Sequence, residues 1–84
     1  MMASASARRL DAPRPARVRA GAGGRPTAVG RSRVESARED WVVEDRWWTK
    51  RGLRRRYFEL VLDDGRNVVV FHDLIGGRWF EQRS

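Results

Sequence analysis

Arg56-Tyr57-Phe58-Glu59-Leu60-Val61-Leu62-Asp63-Asp64-Gly65-Arg66-Asn67-Val68-Val69-Val70-Phe71-His72 is the stretch that decides the fold. Two runs rich in β-branched and aromatic residues flank an Asp-Gly pair, the strongest short-range hairpin signal. Asp64-Gly65 at the centre of a two-residue type I′ turn sets Asp63 opposite Arg66. Counting outward pairs Val61 with Val68, Leu60 with Val69, Glu59 with Val70, Phe58 with Phe71 and Tyr57 with His72. Alternation of side chains along each strand then separates two faces. Phe58, Leu60, Val69 and Phe71 share one, and Tyr57, Glu59, Val61, Val68, Val70 and His72 share the other.

The next turn signal is Gly76-Gly77, within a loop over residues 73–78. If His72 pairs with Trp79, Phe71 pairs with Phe80. Two cross-strand rows are then expected: Phe58–Phe71–Phe80 as core, and Tyr57–His72–Trp79 on the opposite, exposed side. Upstream, strands are expected near residues 27–31 and from 34 into 43, with at most one helical turn in residues 36–43. Further strands follow over 54–62, 67–72 and 78–82. The expected fold is mainly β, a four- to five-stranded antiparallel meander or partly curled barrel, with a disordered N-terminal tail.

The tail is residues 1–26 and the β domain residues 27–84. Every aromatic residue lies at Trp41 or later, and the first 26 residues show neither strand nor helix periodicity. They hold six arginines against Asp11 alone, a net charge of +5 out of +7. Such a segment buries too little apolar area to offset the entropy of ordering it. It reads as a non-specific electrostatic arm or as idle sequence ahead of the domain. With all six arginines on phosphates, log K against log salt would slope by roughly −4 to −5. Its arginine, alanine and serine superficially suit an organelle transit peptide, but Pro13, Pro15 and Gly21-Ala22-Gly23-Gly24 interrupt the helix such peptides form. The glycine run reads as a linker. It follows no strand, and it lacks the Gly-Lys-Ser/Thr ending of a phosphate loop.

At 84 residues the chain has room for one domain, and it has no cysteine to staple it. The absence of cysteine fits a reducing cytoplasm. No apolar run approaches the roughly 20 residues of a membrane helix. With His72 as the lone histidine and no cysteine, neither zinc ligation nor a thiol nucleophile is expected. His72 and Asp73 are adjacent in a strand, point to opposite faces and make no dyad. Asp63-Asp64-Gly65 is explained as a turn, without a calcium-loop pattern. The sequence thus argues against an enzyme, and against a metal or other cofactor.

What remains is binding. Lys50-Arg51-Gly52-Leu53-Arg54-Arg55-Arg56 lies between Trp47-Trp48 and Tyr57-Phe58. Cations among aromatic rings suit nucleic acid, with phosphates meeting guanidinium groups and bases stacking on rings. The competing reading is a solvated strand start whose arginines pair with Glu39, Asp40, Glu44 and Asp45. Trp47 and Trp48 cannot share a face of an extended strand, so one of them is exposed or covers a sheet end. The candidate contact residues are Trp47, Trp48, Arg54, Arg55, Tyr57, His72 and Trp79.

Four elements taken together, Trp41-Val42-Val43-Glu44-Asp45-Arg46-Trp47-Trp48, Arg56-Tyr57-Phe58-Glu59-Leu60-Val61-Leu62-Asp63-Asp64-Gly65, Phe71-His72-Asp73-Leu74 and Gly77-Arg78-Trp79-Phe80-Glu81-Gln82-Arg83, carry a resemblance. Residues 34–84 resemble a small bacterial domain of unknown function, common in actinobacteria and associated with Y-family lesion-bypass polymerase-like proteins. The resemblance implies a non-catalytic accessory module in DNA damage tolerance, with DNA, a polymerase-like protein or both as partners. It carries over no catalytic residue. The alternative is a protein-interaction module without nucleic-acid contact, joined to its partner along an open sheet edge.

Overall fold

The computed structural model describes residues 13–46 and 52–82, and within them the chain is an all-antiparallel β structure. Seven strands follow in order: β1 (Arg14–Pro15), β2 (Val18–Ala20), β3 (Pro26–Val29), β4 (Ser32–Asp45), β5 (Leu53–Leu62), β6 (Asn67–Asp73) and β7 (Trp79–Gln82). Their order in the sheet is β1-β7-β6-β5-β4-β3-β2. The two outermost strands are therefore consecutive in the chain, joined through Ala16 and Arg17 alone. Hydrogen bonds continue across that join: the Ala16 N–H donates to the Trp79 carbonyl at 3.0 Å, and the Gly30 N–H to the Arg17 carbonyl at 2.8 Å. One segment thus serves both ends of a meander that curls into a half-barrel.

The four or five strands expected are corrected to seven, because order begins before Thr27. Residues 14–26 contribute β1, β2 and a single 3₁₀ turn at Ala22–Gly24, which is the tip of the β2–β3 hairpin rather than a linker. Composition misplaces this boundary because main-chain pairing, not side-chain burial, orders the segment. Val18 packs on the core, and the other residues of β1 and β2 are exposed. Residues 1–12 of the expected tail lie outside the described residues. The stretch 36–43, read as room for a helical turn, is extended throughout. Register shifts after Val34 and after Ala37 insert one extra residue each, and such bulges bend a strand and deepen its twist.

The β5–β6 hairpin forms where the sequence places it but in another register. Phe58 pairs with Val70, Tyr57 with Phe71 and Arg56 with His72. A type I′ turn needs positive φ at both central residues. Gly65 adopts it, at φ +89°, and Asp64 does not. The Asp64 carboxylate instead accepts the backbone N–H of Arg66 at 3.0 Å, which holds a three-residue loop, Asp63-Asp64-Gly65. The Gly65 N–H donates to the Leu62 carbonyl and the Leu62 N–H to the Arg66 carbonyl, both at 2.9 Å. One extra loop residue moves every cross-strand partner by one and turns β6 over relative to β5.

The inner face consequently carries Phe58, Leu60 and Leu62 from β5 and Val68 and Val70 from β6. Val29 joins them, and Val18, Val34 and Trp79 pack around the cluster. Burying each large side chain contributes about 1.5–3 kcal/mol. The expected core row Phe58–Phe71–Phe80 is divided: Phe58 is inside, and Phe71 and Phe80 are outside. The pairing of β6 with β7, Phe71 with Phe80 and His72 with Trp79, is the one read from the sequence.

Candidate nucleic-acid interface

Because β6 is turned over, the rings regroup into a row on the outer face. Trp41 on β4, Tyr57 on β5, Phe71 on β6 and Phe80 on β7 are successive cross-strand neighbours, and Pro15 on β1 stands beside Phe80. Trp41 and Tyr57 stack with centroids 5.4 Å apart and planes 3° from parallel. Tyr57 and Phe71 follow at 5.0 Å with a 39° tilt, and Phe71 and Phe80 at 5.1 Å and 22°. The guanidinium of Arg55 lies 4.3 Å from the Phe71 centroid and donates to the Tyr57 hydroxyl at 3.2 Å. Under this cover Phe71 is only 1% exposed, although it faces away from the core.

A ladder of this kind spends its ring faces on its own neighbours except at its ends. At the β4 end, Trp41 is 39% exposed. Past Arg33, no strand among the described residues pairs with the far side of β4. Among the described residues no ring other than Tyr57 packs on Trp41, so a planar group on the indole face turned away from Tyr57 would continue the stack.

The inner side of the same strands holds a second cluster near the mouth of the half-barrel. His72 and Trp79 stack at 4.4 Å with planes 2° apart, and Trp79 meets Phe58 at 5.8 Å. Arg56 lies 4.8 Å from the Phe58 centroid. Its Nε and an NH2 group reach one oxygen of Asp40 at 3.2 and 2.8 Å, and its other terminal nitrogen donates to the Gly23 carbonyl at 2.9 Å. Arg56 thereby ties the β2–β3 hairpin tip to β4. Asp73, beside His72 in sequence, accepts the Ile75 and Gly76 N–H groups at 3.0 Å and shapes the β6–β7 loop. Among the described residues no three His, Asp or Glu side chains gather where they would hold a metal ion. None of their helices is long and apolar enough to cross a membrane.

The candidate contact residues therefore fall into separate places. Tyr57 and Arg55 lie together in the outer ladder. His72 and Trp79 face inward, and the expected Tyr57–His72–Trp79 row is corrected to Tyr57–Phe71–Phe80 outside and Arg56–His72–Trp79 inside. Arg54 pairs with Glu44 directly across the strands at 2.6 Å. For Arg54 and Arg56 the acidic-neighbour reading of the basic run holds; for Arg55 it does not. Trp47 and Trp48 lie outside the described residues. The sequence does not mark Trp41, Phe71 and Phe80 as contacts, because the expected register assigns Phe71 and Phe80 to the core. Trp41 is adjacent to acids rather than arginines in sequence, so spacing alone gives it no signal.

No family model, no curated protein and no solved structure matches the chain.

Proposed function

We propose that this domain is a non-catalytic module that binds single-stranded nucleic acid by stacking a base on the open face of Trp41. The exposed end of the four-ring ladder is the observation that carries the reading. Base–aromatic stacking tolerates any sequence, since every base has a π-face, and it is worth about 1–3 kcal/mol per base. Arg55, held over Phe71, places a cation beside the stack. The resemblance of residues 34–84 to a polymerase-associated domain is the reason for setting this contact in DNA damage tolerance, beside a lesion-bypass polymerase-like protein.

The test is fluorescence anisotropy of a labelled 12-nucleotide thymidine oligomer titrated with the full chain at 50 mM salt. Trp41→Ala is expected to weaken binding by about 5- to 150-fold, the equivalent of one lost stack, and Trp41→Phe to keep most of it. Binding indifferent to Trp41→Ala, or no binding at all, overturns the reading. A second reading, a protein partner adding a strand along β4, is favoured by the edge of β4 that no strand among the described residues pairs with past Arg33 and by exposed Val42 on that strand. An interface of that kind is nearly indifferent to salt, whereas nucleic-acid binding weakens steeply with it.

A further inference from the structure

Composition places Arg17 and Arg19 in a tail, but the fold carries them to β2 and its approach, beside the β3–β4 turn. There they meet Arg31 and Arg33. Val18 points inward, so Arg19 faces outward, in one row with Ala28 on β3 and Arg33 on β4. Arg17 and Arg31 stand at the adjoining turn. The four side chains line an open groove of about 550 Å³, with Ala28 and Gly30 between them. All four arginines are exposed. Among the described residues, none of their guanidinium groups has a hydrogen bond or an ion pair.

The contrast with other arginines is informative. Arg54 has Glu44, Arg56 has Asp40 and Arg66 has Asp64. The groove on β2, β3 and β4 instead gathers four arginines with no acid among its lining residues. Small residues at Ala28 and Gly30 leave the groove floor accessible to a tetrahedral anion. A second groove of about 410 Å³ shares Arg17, Gly30 and Arg31 with the first and opens onto the inner face, where Val29, Leu62, Val68 and Glu81 line it; its lining also includes Pro15, the cross-strand neighbour of Phe80. From Trp41 to Pro15 the ladder crosses four inter-strand steps of about 4.8 Å, or roughly 19 Å. An extended single strand of a few nucleotides spans that distance.

We propose that the groove of Arg17, Arg19, Arg31 and Arg33 is a phosphodiester-binding site, holding the backbone of the same single strand whose base stacks on Trp41. The base partner rests on the function proposed above; the phosphate site does not. Guanidinium groups bind phosphate oxygens through paired, charge-assisted hydrogen bonds.

The experiment uses the full chain with two labelled probes: the 12-nucleotide thymidine oligomer, and a 12-unit deoxyribose phosphodiester that carries no bases. Each is titrated between 50 and 200 mM salt. Removing two phosphate contacts makes the log–log salt slope shallower by about 1.4 for a single strand. Arg19→Gln/Arg33→Gln is therefore expected to lose about 7-fold less affinity than wild type across that range, on both probes. Glutamine keeps a polar stem at exposed positions, so folding is not at issue. Arg38→Gln/Arg46→Gln removes the same net charge elsewhere and is expected to leave the slope near the wild-type value. An unchanged slope in Arg19→Gln/Arg33→Gln, or an equal change in the control pair, overturns the phosphate site. If the baseless probe depends on Arg19 and Arg33 but Trp41→Ala affects neither probe, the groove stands and the stacking reading fails.

Discussion

The regrouped ladder makes a quantitative prediction about which rings are coupled. Tyr57 and Phe71 are direct cross-strand partners with centroids 5.0 Å apart, and Phe58 and Phe71 lie on opposite faces of the sheet. An aromatic pair contributes about 0.5–1.5 kcal/mol beyond the area it buries. A double-mutant cycle isolates that contribution, since Leu at each position keeps apolar bulk while removing the ring. Tyr57→Leu with Phe71→Leu is expected to show a coupling of about 0.5–1.5 kcal/mol. Phe58→Leu with Phe71→Leu is expected to be additive within about 0.5 kcal/mol. Urea unfolding of wild type and of the single and double variants, followed by tryptophan fluorescence, supplies both numbers. For a domain of this size the denaturant dependence is on the order of 1 kcal/mol per M, so a coupling of 1 kcal/mol moves a midpoint by about 1 M. Coupling between Phe58 and Phe71, with none between Tyr57 and Phe71, would mean that the hairpin has the two-residue turn and that the outer ladder does not exist.

Three further outcomes are expected. Gly65→Ala places a Cβ at φ +89° in open space, so it meets strain without a clash; it should cost about 1 kcal/mol, which lowers Tm by about 4–8 °C in a calorimetric scan. The Asp64 carboxyl is held below the usual aspartate value, first by the Arg66 backbone N–H and then by the Arg66 and Ser32 side chains. Its stabilising effect is therefore present above the pKa of the unfolded chain and disappears as pH falls through the folded value. An NMR titration should find the midpoint below that of an unstructured aspartate, and the stability gap between wild type and Asp64→Asn should close in acid; a midpoint at or above the usual value contradicts the loop geometry. Deleting residues 1–26 removes β1 and β2, leaving the edges of β7 and β3 unpaired and Val29 without Val18, so circular dichroism should show a lower, broader thermal transition than in the full chain.

The sequence reveals the strands wherever alternation and turn chemistry agree. Val68 to Phe71 and the Gly76-Gly77 loop led directly to the observed pairing of β6 with β7. Asp64-Gly65 marked the hairpin but not its register, because a side-chain hydrogen bond from a backbone N–H to Asp64 chose between a two-residue and a three-residue loop. That choice decided which aromatic residues became core and which became ladder, so the candidate site shifted with it. Arg55 and Tyr57 were identified from the interleaving of cations and rings. Trp41 was not, since its role depends on being last in a row that only the register assembles. The arginine groove was hidden for a different reason. Arg17 and Arg19 lie in sequence of disordered composition, and the pairing partners that order them, β7 and β3, are remote or glycine-flanked.

The most direct test of the whole account is an amide and indole NMR titration of the full chain with the 12-nucleotide thymidine oligomer at low salt. The account predicts shifts at the Trp41 indole, at Arg55 and Tyr57, and along Arg17, Arg19, Arg31 and Arg33, with the inward-facing His72 and Trp79 little affected. Shifts confined to the mouth of the half-barrel around His72 and Trp79, or no shifts at all, would contradict it.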